Sequence, residues 1–315
     1  MIYLQIKGTG SYLPQHVLTN QDLEKMVDTS DEWITERTGI KERHIAKGIS
    51  TAYMAIKASQ KAMDSAGVTP DEIDIIIAAT ITPDYLTPSL SCLVQKEFGA
   101  DSAFCFDINA ACSGFCYALD IADLYIKTGR AKTILIVASE MLSRITDYTD
   151  RRTCVLFGDG AGAVIARAGD TKGVMDSICC AVGGLGDVLK ASVFEDYKFI
   201  QMNGKEVYKF AVRVNIETIT QLLSNNNLST DDIAYLVPHQ ANKRIIATVS
   251  SKLGIDSDKT YINVDRYGNT SSASIPICLD EMNKKGLLKD GDKIILTGFG
   301  GGLTYAGILL QWVGM

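Results

Sequence analysis

The chain has 315 residues, with 31 basic and 37 acidic side chains and a net charge of −6. A content of 46% hydrophobic and 22% charged residues buries a large core and excludes wholesale disorder, while the acidic balance excludes the global field of a nucleic-acid binder. No apolar run reaches the roughly 18–20 residues that span a bilayer. The opening MIYLQIKGTGSYLP enters a strand-like pattern without the cationic and apolar regions of a signal peptide. A cytoplasmic protein with no membrane and no nucleic-acid partner is expected. Cysteines stand at 92, 105, 112, 116, 154, 179, 180 and 278, without a C-x-x-C pair and mostly in apolar runs. The histidines His16, His44 and His239 have no metal-ligand spacing to them, so reduced thiols and no metal site are expected.

In chain order, AYMAIKASQKAMDSAG has helical periodicity, DIIIAAT and AFCFDI are buried strands, and SGFCYALDIADLYIKTG is an apolar helix. KTILIVAS and CVLFGDGAGAVIARA close this half as strands around a glycine-rich turn. The order then repeats. VYKFAVRVNIETITQLLSNN is a helix, AYLVPH and TYINV are strands, and ASIPICLDEMNKKG is a helix. KIILTGF and LTYAGILLQWV are a closing hairpin. TPDEIDIII at 69–77 aligns with STDDIAYLV at 229–237, and KTILIV at 132 with KIILTG at 293, offsets of 160 and 161 residues. The reading is an internally duplicated α/β protein with β-α-β-α-β-α-β-β halves, 1–168 and 169–315.

In α/β folds, ligands gather at the carboxyl ends of strands. Cys112, His239 and Asn269 lie at or just after such ends, and Cys112 and Asn269 take nearly equivalent places in the two halves, 157 residues apart. Cys112 falls between a strand and a helix, where the helix dipole and free N–H groups favour a thiolate; a small core cysteine is the alternative. His239 follows Pro238 and is either a catalyst or a hydrogen-bonded structural residue. Asn269 is either a helix-capping side chain or an amide donor to a developing oxyanion. His44, in KERHIA, reads as solvated. GDGAGA at 158–163 runs into a strand rather than a helix, which rules out a dinucleotide loop. GFGGG at 298–302 joins two strands and brings backbone N–H groups close to a ligand, or is a plain turn. Trp33 and Arg37 lie on a short helix with Thr29 and Glu32 as a capping box. Arg37, Lys41, Arg43, Arg151 and Arg152 either meet a phosphate-bearing ligand or form a solvated charged surface.

Together GTGSYLP, TSDEWITERTGIKERHIA, DINAACSGFCYAL, TDRRT with FGDGAGA, VPHQAN, YGNTSSAS and GFGGG resemble the beta-ketoacyl-acyl carrier protein synthase III family, the initiating condensing enzymes of the thiolase superfamily. The resemblance runs almost end to end. It implies the five-layered αβαβα thiolase-like fold, a homodimer, and Cys112, His239 and Asn269 as catalytic residues. It implies a decarboxylative condensation of an acyl-CoA primer with malonyl-acyl carrier protein through an acyl-Cys112, with no cofactor besides coenzyme A thioesters as substrates. The backbone N–H groups of Cys112 and Gly301 would form an oxyanion hole. Thr29, Trp33, Arg37, Arg151, Gly204, Tyr208 and Asn242 would bind coenzyme A. Thr87, Leu142 and Phe157 would line the acyl pocket, and Lys209 and Arg244 would dock the carrier protein.

Two departures concern specificity. The segment 186–204 is several residues shorter than in familiar members, and Thr87 stands where acetyl-selective relatives have phenylalanine, which favours longer or branched primers. A specialised enzyme passing its acyl group to a small-molecule acceptor is the chief rival. A non-catalytic subunit of the same fold is a second, which the presence of all three catalytic residue types disfavours.

Overall fold

The computed structural model describes residues 2–193 and 197–314. Tyr3–Tyr12 (β1), Ile75–Ala79 (β2), Phe104–Ile108 (β3), Thr133–Glu140 (β4) and Gly160–Gly169 (β5) form one sheet in the order β1-β5-β4-β2-β3. Strands β2, β3 and β4 run parallel, and β5 returns antiparallel beside β4. A second sheet, in the order β7-β8-β9-β6, contains Val174–Ala181 (β6), Tyr235–Pro238 (β7), Lys293–Gly300 (β8) and Thr304–Gln311 (β9).

The parallel strand β2, IIIAA, is buried on both faces, as a strand covered by helices on each side must be. Its alternation divides the core. Ile75 and Ile77 face a central layer with Phe115, Leu119, Ile275, Leu279, Leu296 and Ile308, all 0–2% exposed, which joins both sheets. This layer is made by helices Gly114–Lys127 (α4) and Ser274–Lys284 (α7). Ile76 faces outward to Thr51–Ala66 (α2) and Leu90–Phe98 (α3). Gly204–Asn225 (α5) and Lys243–Leu253 (α6) cover the outer face of the second sheet. The layers are therefore α, β, α, β, α. Each fully buried aliphatic side chain contributes about 1.5–3 kcal/mol, so two back-to-back cores and the central layer hold the halves together.

The internal repeat is more regular than the sequence suggests. β4 and β8 begin at 133 and 293, an offset of 160. The 3-10 turns Pro70–Glu72 and Thr230–Asp232 each carry a capping box. Turns Ala111–Ser113 and Ser271–Ala273 each open on a non-glycine residue of positive φ, Ala111 at 46° and Ser271 at 52°. Asn109 and Asn269 each accept the N–H two residues ahead, at 3.4 and 2.8 Å. The counterpart of Asn269 is thus Asn109, and that of Cys112 is Ser272, which corrects the pairing of Cys112 with Asn269.

Other expectations are also corrected. TYINV is not a strand: one bridge joins Thr260 to Leu236, and Gln240 Oε1 then captures the N–H groups of Asn263 and Val264. Ser30, not Thr29, caps the helix Asp31–Thr38 (α1) by accepting from Trp33 N–H. His44 is half-buried, with Nδ1 against Pro14 O and its ring beside Tyr267. Arg43 is fully buried and donates to Leu18 O, Asn20 Oδ1 and Val155 O. Burial pulls its guanidinium down to about 10, and it braces the N-terminal segment rather than meeting a ligand. No helix among the described residues is long and apolar enough to cross a membrane.

Candidate active site

A cavity of about 330 Å³ lies where the strand ends of the two halves meet, and Cys112, His239 and Asn269 all line it. Trp33, Arg37, Gly204, Tyr208 and Asn242 line its outer part. A second cavity of about 580 Å³ opens on the other side of Cys112, with Leu142, Phe157 and Gly301 in its wall. Cys112, Phe157 and Leu189 border both. One continuous arrangement therefore gathers most of the residues singled out in the sequence, with the thiol at its waist.

His239 leaves the end of β7 and is 2% exposed. Its Nδ1 is 2.7 Å from Ser274 Oγ, which also accepts from Gln240 N–H. A serine hydroxyl that accepts from Gln240 N–H can still donate its own proton to Nδ1, and the tautomer in which it does so carries the imidazole proton on Nε2. Nε2 has no hydrogen-bond partner among the described residues. Burial pulls the ring down to about 3, so it is neutral at physiological pH and offers one N–H to the cavity.

Asn269 has the complementary arrangement. Its Oδ1 accepts Ser271 N–H at 2.8 Å, which identifies the oxygen and leaves the Nδ2 amide as the donor. Its backbone is tied on both sides, to Leu156 O and Gly158 N–H. In each side chain the acceptor atom is engaged by the scaffold, so two N–H donors remain in a water-poor site. Donors held in this way stabilise a developing oxyanion without reorganising.

Cys112 lies in the 3-10 turn that precedes α4. The position at the start of the helix, where backbone N–H groups favour a thiolate, is as the sequence suggests, and burial acts against ionisation there. Part of the residue opens on the cavities, yet the sulfur sits in desolvated walls, and burial pushes the thiol up to about 12. A side-chain hydrogen bond from Ser271 opposes this rise, and the charge of Glu140 adds to it. The β8–β9 hairpin packs directly on this turn. A Cβ at Gly300 would stand 2.5 Å from Cys112 N, so only glycine admits the approach.

The remaining predicted residues divide into three groups. Arg151 stacks on Trp33, with 4.5 Å between its guanidinium carbon and the ring centroid, and Arg37 is 6.0 Å from the same ring. Arg152 borders the cavity but is paired with Asp150 at 2.9 Å. Lys209 and Arg244 line an adjoining cavity of about 460 Å³ with Arg37, Lys205 and Asn242, which makes a cationic mouth. Among the described residues, Thr29 and Thr87 are not brought to these cavities: Thr29 Oγ1 is buried without a hydrogen-bond partner there, and Thr87 is on an exposed segment. Of the shortened segment 186–204, Gly186, Leu189–Val193 and Ile200 contribute to the inner cavity wall, while 194–196 lie outside the described residues.

Sequence reading missed Ser271, Ser274, Glu140, Lys205 and Phe299. Ser271 and Ser274 are in YGNTSSAS beside Asn269, and Glu140 is a charged residue closing an otherwise apolar strand. Among the described residues, no group of three or more His, Cys, Asp and Glu could hold a metal ion.

The description "3-Oxoacyl-[acyl-carrier-protein (ACP)] synthase III" matches residues 106–183, and its C-terminal counterpart matches 223–312. A beta-ketoacyl-[acyl-carrier-protein] synthase III of Clostridium acetobutylicum is 51% identical, covering 98% of this chain and 98% of its own. The crystal structure of 3-oxoacyl-[acyl-carrier-protein] synthase III from Aquifex aeolicus superimposes with a TM-score of 0.96 at 49% identity, over 98% of this chain and 100% of that one. The corresponding structure from Pseudomonas aeruginosa gives 0.95 at 37% identity, over 99% of this chain and 98% of that one. Shared motifs, shared fold and full-length similarity agree: the chain belongs to the beta-ketoacyl-[acyl-carrier-protein] synthase III family.

Proposed function

We propose that the chain initiates fatty acid biosynthesis by condensing an acyl-CoA primer with malonyl-acyl carrier protein, and that Cys112, His239 and Asn269 perform the chemistry. The observation that carries the reading is their common cavity, in which the thiol faces two N–H donors whose partner atoms are anchored. Cys112 takes the acyl group and releases CoA. The backbone N–H groups of Cys112 and Gly301 hold the tetrahedral oxyanion. Malonyl-carrier protein then loses CO2, and His239 Nε2–H and Asn269 Nδ2–H hold its thioester oxygen as enolate charge grows. The carbanion attacks acyl-Cys112 and yields 3-ketoacyl-carrier protein. A neutral imidazole suits this step, because it donates without first surrendering a proton to solvent. Coenzyme A thioesters are substrates, and the reaction draws on no separate cofactor.

Trp33 and Arg151 would clamp the adenine, with Arg37 near the phosphates and Gly204, Tyr208 and Asn242 along the pantetheine arm. Thr29 sits outside this lining and is a supporting residue at most. Lys209, Arg244 and Lys205 supply the cationic rim for an acidic carrier protein, an attraction that weakens with salt. A homodimer is supported by β3, an edge strand bearing the exposed Phe104 beside Phe106 and Tyr125, an open edge that proteins cover. In such a dimer Thr87 would act across the interface. The halves 1–168 and 169–315 each contribute one side of the site, and the compartment proposed is the cytoplasm.

The inner cavity supports primers longer or branched beyond acetyl: Ile81, Leu142, Ile145, Phe157 and Ile200 give it an apolar wall. A series of acyl-CoA primers tests this. Efficient turnover beyond acetyl is expected, and a sharp collapse in kcat/KM after acetyl would refute it. Turnover with small acceptors in the absence of malonyl-carrier protein would favour the specialised acyltransferase.

A further inference from the structure

Glu140 ends β4 and is 0% exposed. A buried carboxylate is costly unless donors meet its oxygens, and among the described residues those donors are all neutral. It accepts from the hydroxyls of Thr82 and Ser272 at 2.7 and 2.8 Å, from those of Thr80 and Ser271 at 3.3 Å, and from Ile81 N–H at 3.1 Å. The donors come from two segments. Residues 80–82 follow β2, and Thr82 Oγ1 also accepts Met141 N–H at 2.8 Å, which binds this segment to the end of β4. Ser271 and Ser272 open the turn that follows Asn269. The proposed chemistry has no step for this carboxylate.

The internal repeat supplies a comparison within the molecule. Glu140 and Gly300 hold equivalent places at the ends of β4 and β8, 160 residues apart. Each packs on a turn whose first residue is a non-glycine at positive φ, Gly300 on Ala111–Ser113 and Glu140 on Ser271–Ala273. Such a backbone persists only where its surroundings over-determine it. At the Cys112 turn the holding contact is the backbone of β8, so close that a Cβ on Gly300 would meet Cys112 N at 2.5 Å. At the Ser271 turn it is the carboxylate, which holds the side chains of the turn's first two residues. The two asparagines differ accordingly. Asn109 is exposed and its Oδ1 accepts Ala111 N–H at 3.4 Å, whereas Asn269 is 7% exposed and its Oδ1 accepts Ser271 N–H at 2.8 Å. The shorter contact belongs to the turn that the carboxylate holds.

We propose that Glu140 is the positioning residue for the Asn269 amide. It holds Ser271 and Ser272 by their hydroxyls, Ser271 N–H fixes Asn269 Oδ1, and that contact turns the Nδ2 donor to the cavity shared with Cys112 and His239. An ionised carboxylate only accepts, which is what donors converging from two segments require. The backbone of Asn269 has its own ties, to Leu156 O and Gly158 N–H, so loss of the carboxylate frees the side chain rather than the whole residue. Glu140 touches no reacting atom and acts through the turn. The proposal rests on Asn269 being an enolate donor.

Glu140→Gln keeps the volume and puts an NH2 group where donors converge. The test is a double-mutant cycle with Asn269→Ala, because substitutions that act on one interaction are not additive. Release of CO2 from malonyl-carrier protein is measured on enzyme already acylated at Cys112, and acylation from acetyl-CoA is measured separately by quenched-flow mass spectrometry. Glu140→Gln is expected to slow CO2 release about tenfold, the low end for hydrogen bonds to a charged group, and to leave acylation within about twofold of the parent. In the Asn269→Ala background no amide remains to be held, and the same substitution is expected to slow CO2 release by less than about twofold. Equal slowing of acylation and CO2 release marks a general structural role and overturns the proposal. An undiminished loss in the Asn269→Ala background overturns it as well. If Glu140→Gln does not fold, Ser272→Ala carries the test, since it removes the 2.8 Å contact and leaves the other donors in place. A slowing of CO2 release by about threefold or more that disappears with Asn269→Ala is then expected, and the parent rate would overturn the proposal. Release of CO2 by Asn269→Ala alone at the parent rate would instead overturn the role of Asn269 itself.

Discussion

Asn269→Asp is the sharpest single-atom perturbation of the proposed enolate site. The side chain keeps its size, and its Oδ1 retains the Ser271 N–H at 2.8 Å. Only Nδ2 changes, from a donor to an oxygen. Loss of one oxyanion donor costs about 2.7–4 kcal/mol, a factor of about 10²–10³ in rate. An ionised carboxylate would add repulsion: at about 4 Å and an effective dielectric near 20, two unit charges repel by about 4 kcal/mol. Because the site is 7% exposed, burial raises the new acid, and its protonated form regains an O–H donor. The signature is therefore a decarboxylation rate reduced at least about 10²-fold at pH 8 that recovers as pH falls, opposite to a simple loss of protein. The assay is CO2 release from malonyl-carrier protein by pre-acylated enzyme, with acylation of Cys112 measured separately by mass. Decarboxylation within fivefold of the parent at pH 8 would refute the role assigned to Nδ2.

Three further outcomes are expected. Arg151 and Trp33 stand only 4.5 Å apart, whereas a ring stacked between them needs about 7–8 Å, two contacts of 3.5–4.0 Å. The clamp must therefore open to bind, and Arg151→Ala is expected to raise KM for acyl-CoA about fivefold, consistent with a cation–π contact of about 1 kcal/mol; KM for a short pantetheine thioester without the nucleotide should stay unchanged, and a parallel rise in both would refute the clamp. Gly300→Ala drives a Cβ to 2.5 Å from Cys112 N, which costs about 1–3 kcal/mol of stability and displaces the thiol; an unchanged Tm and unchanged acylation would contradict that packing. His239 is pulled to about 3 by burial, against about 6.5 unfolded. Between these values the unfolded chain binds the extra proton, so the contribution of His239 to stability is present above pH 6.5 and is lost as pH falls toward 3. Denaturant titrations at pH 7 and pH 5 should differ by less in His239→Asn than in the parent, and an equal difference would count against a buried neutral imidazole.

The periodic segments were legible because a strand buried on both faces, such as IIIAA, and an amphipathic helix such as Thr51–Ala66 advertise themselves through apolar spacing. The repeat was legible in outline, but its true register was hidden: the sequence pairs Cys112 with Asn269, whereas the backbone pairs Asn109 with Asn269 through two matched turns. TYINV has every strand residue type and still leaves the sheet, because a single side chain, Gln240, takes its N–H groups. No local rule anticipates that capture. Arg43 reads as a surface cation and is instead the largest buried polar side chain, since its three backbone and amide acceptors come from residues 18, 20 and 155. The three candidate residues stood out at strand ends, but the thiol's environment did not: helix placement argues for a thiolate, and only the assembled walls show the burial that opposes it. Ser274 stands in YGNTSSAS, but its contact with His239 spans 35 residues of sequence, so no local pattern announces it.

The proposed chemistry depends on an acyl group residing on Cys112. The most direct measurement is the intact mass of the protein after incubation with single acyl-CoAs, alongside Cys112→Ala, before and after malonyl-carrier protein is added. The expected result is an acyl adduct that requires Cys112 and is discharged as 3-ketoacyl-carrier protein. No adduct with any acyl-CoA, or an adduct that persists in the presence of malonyl-carrier protein, would contradict it.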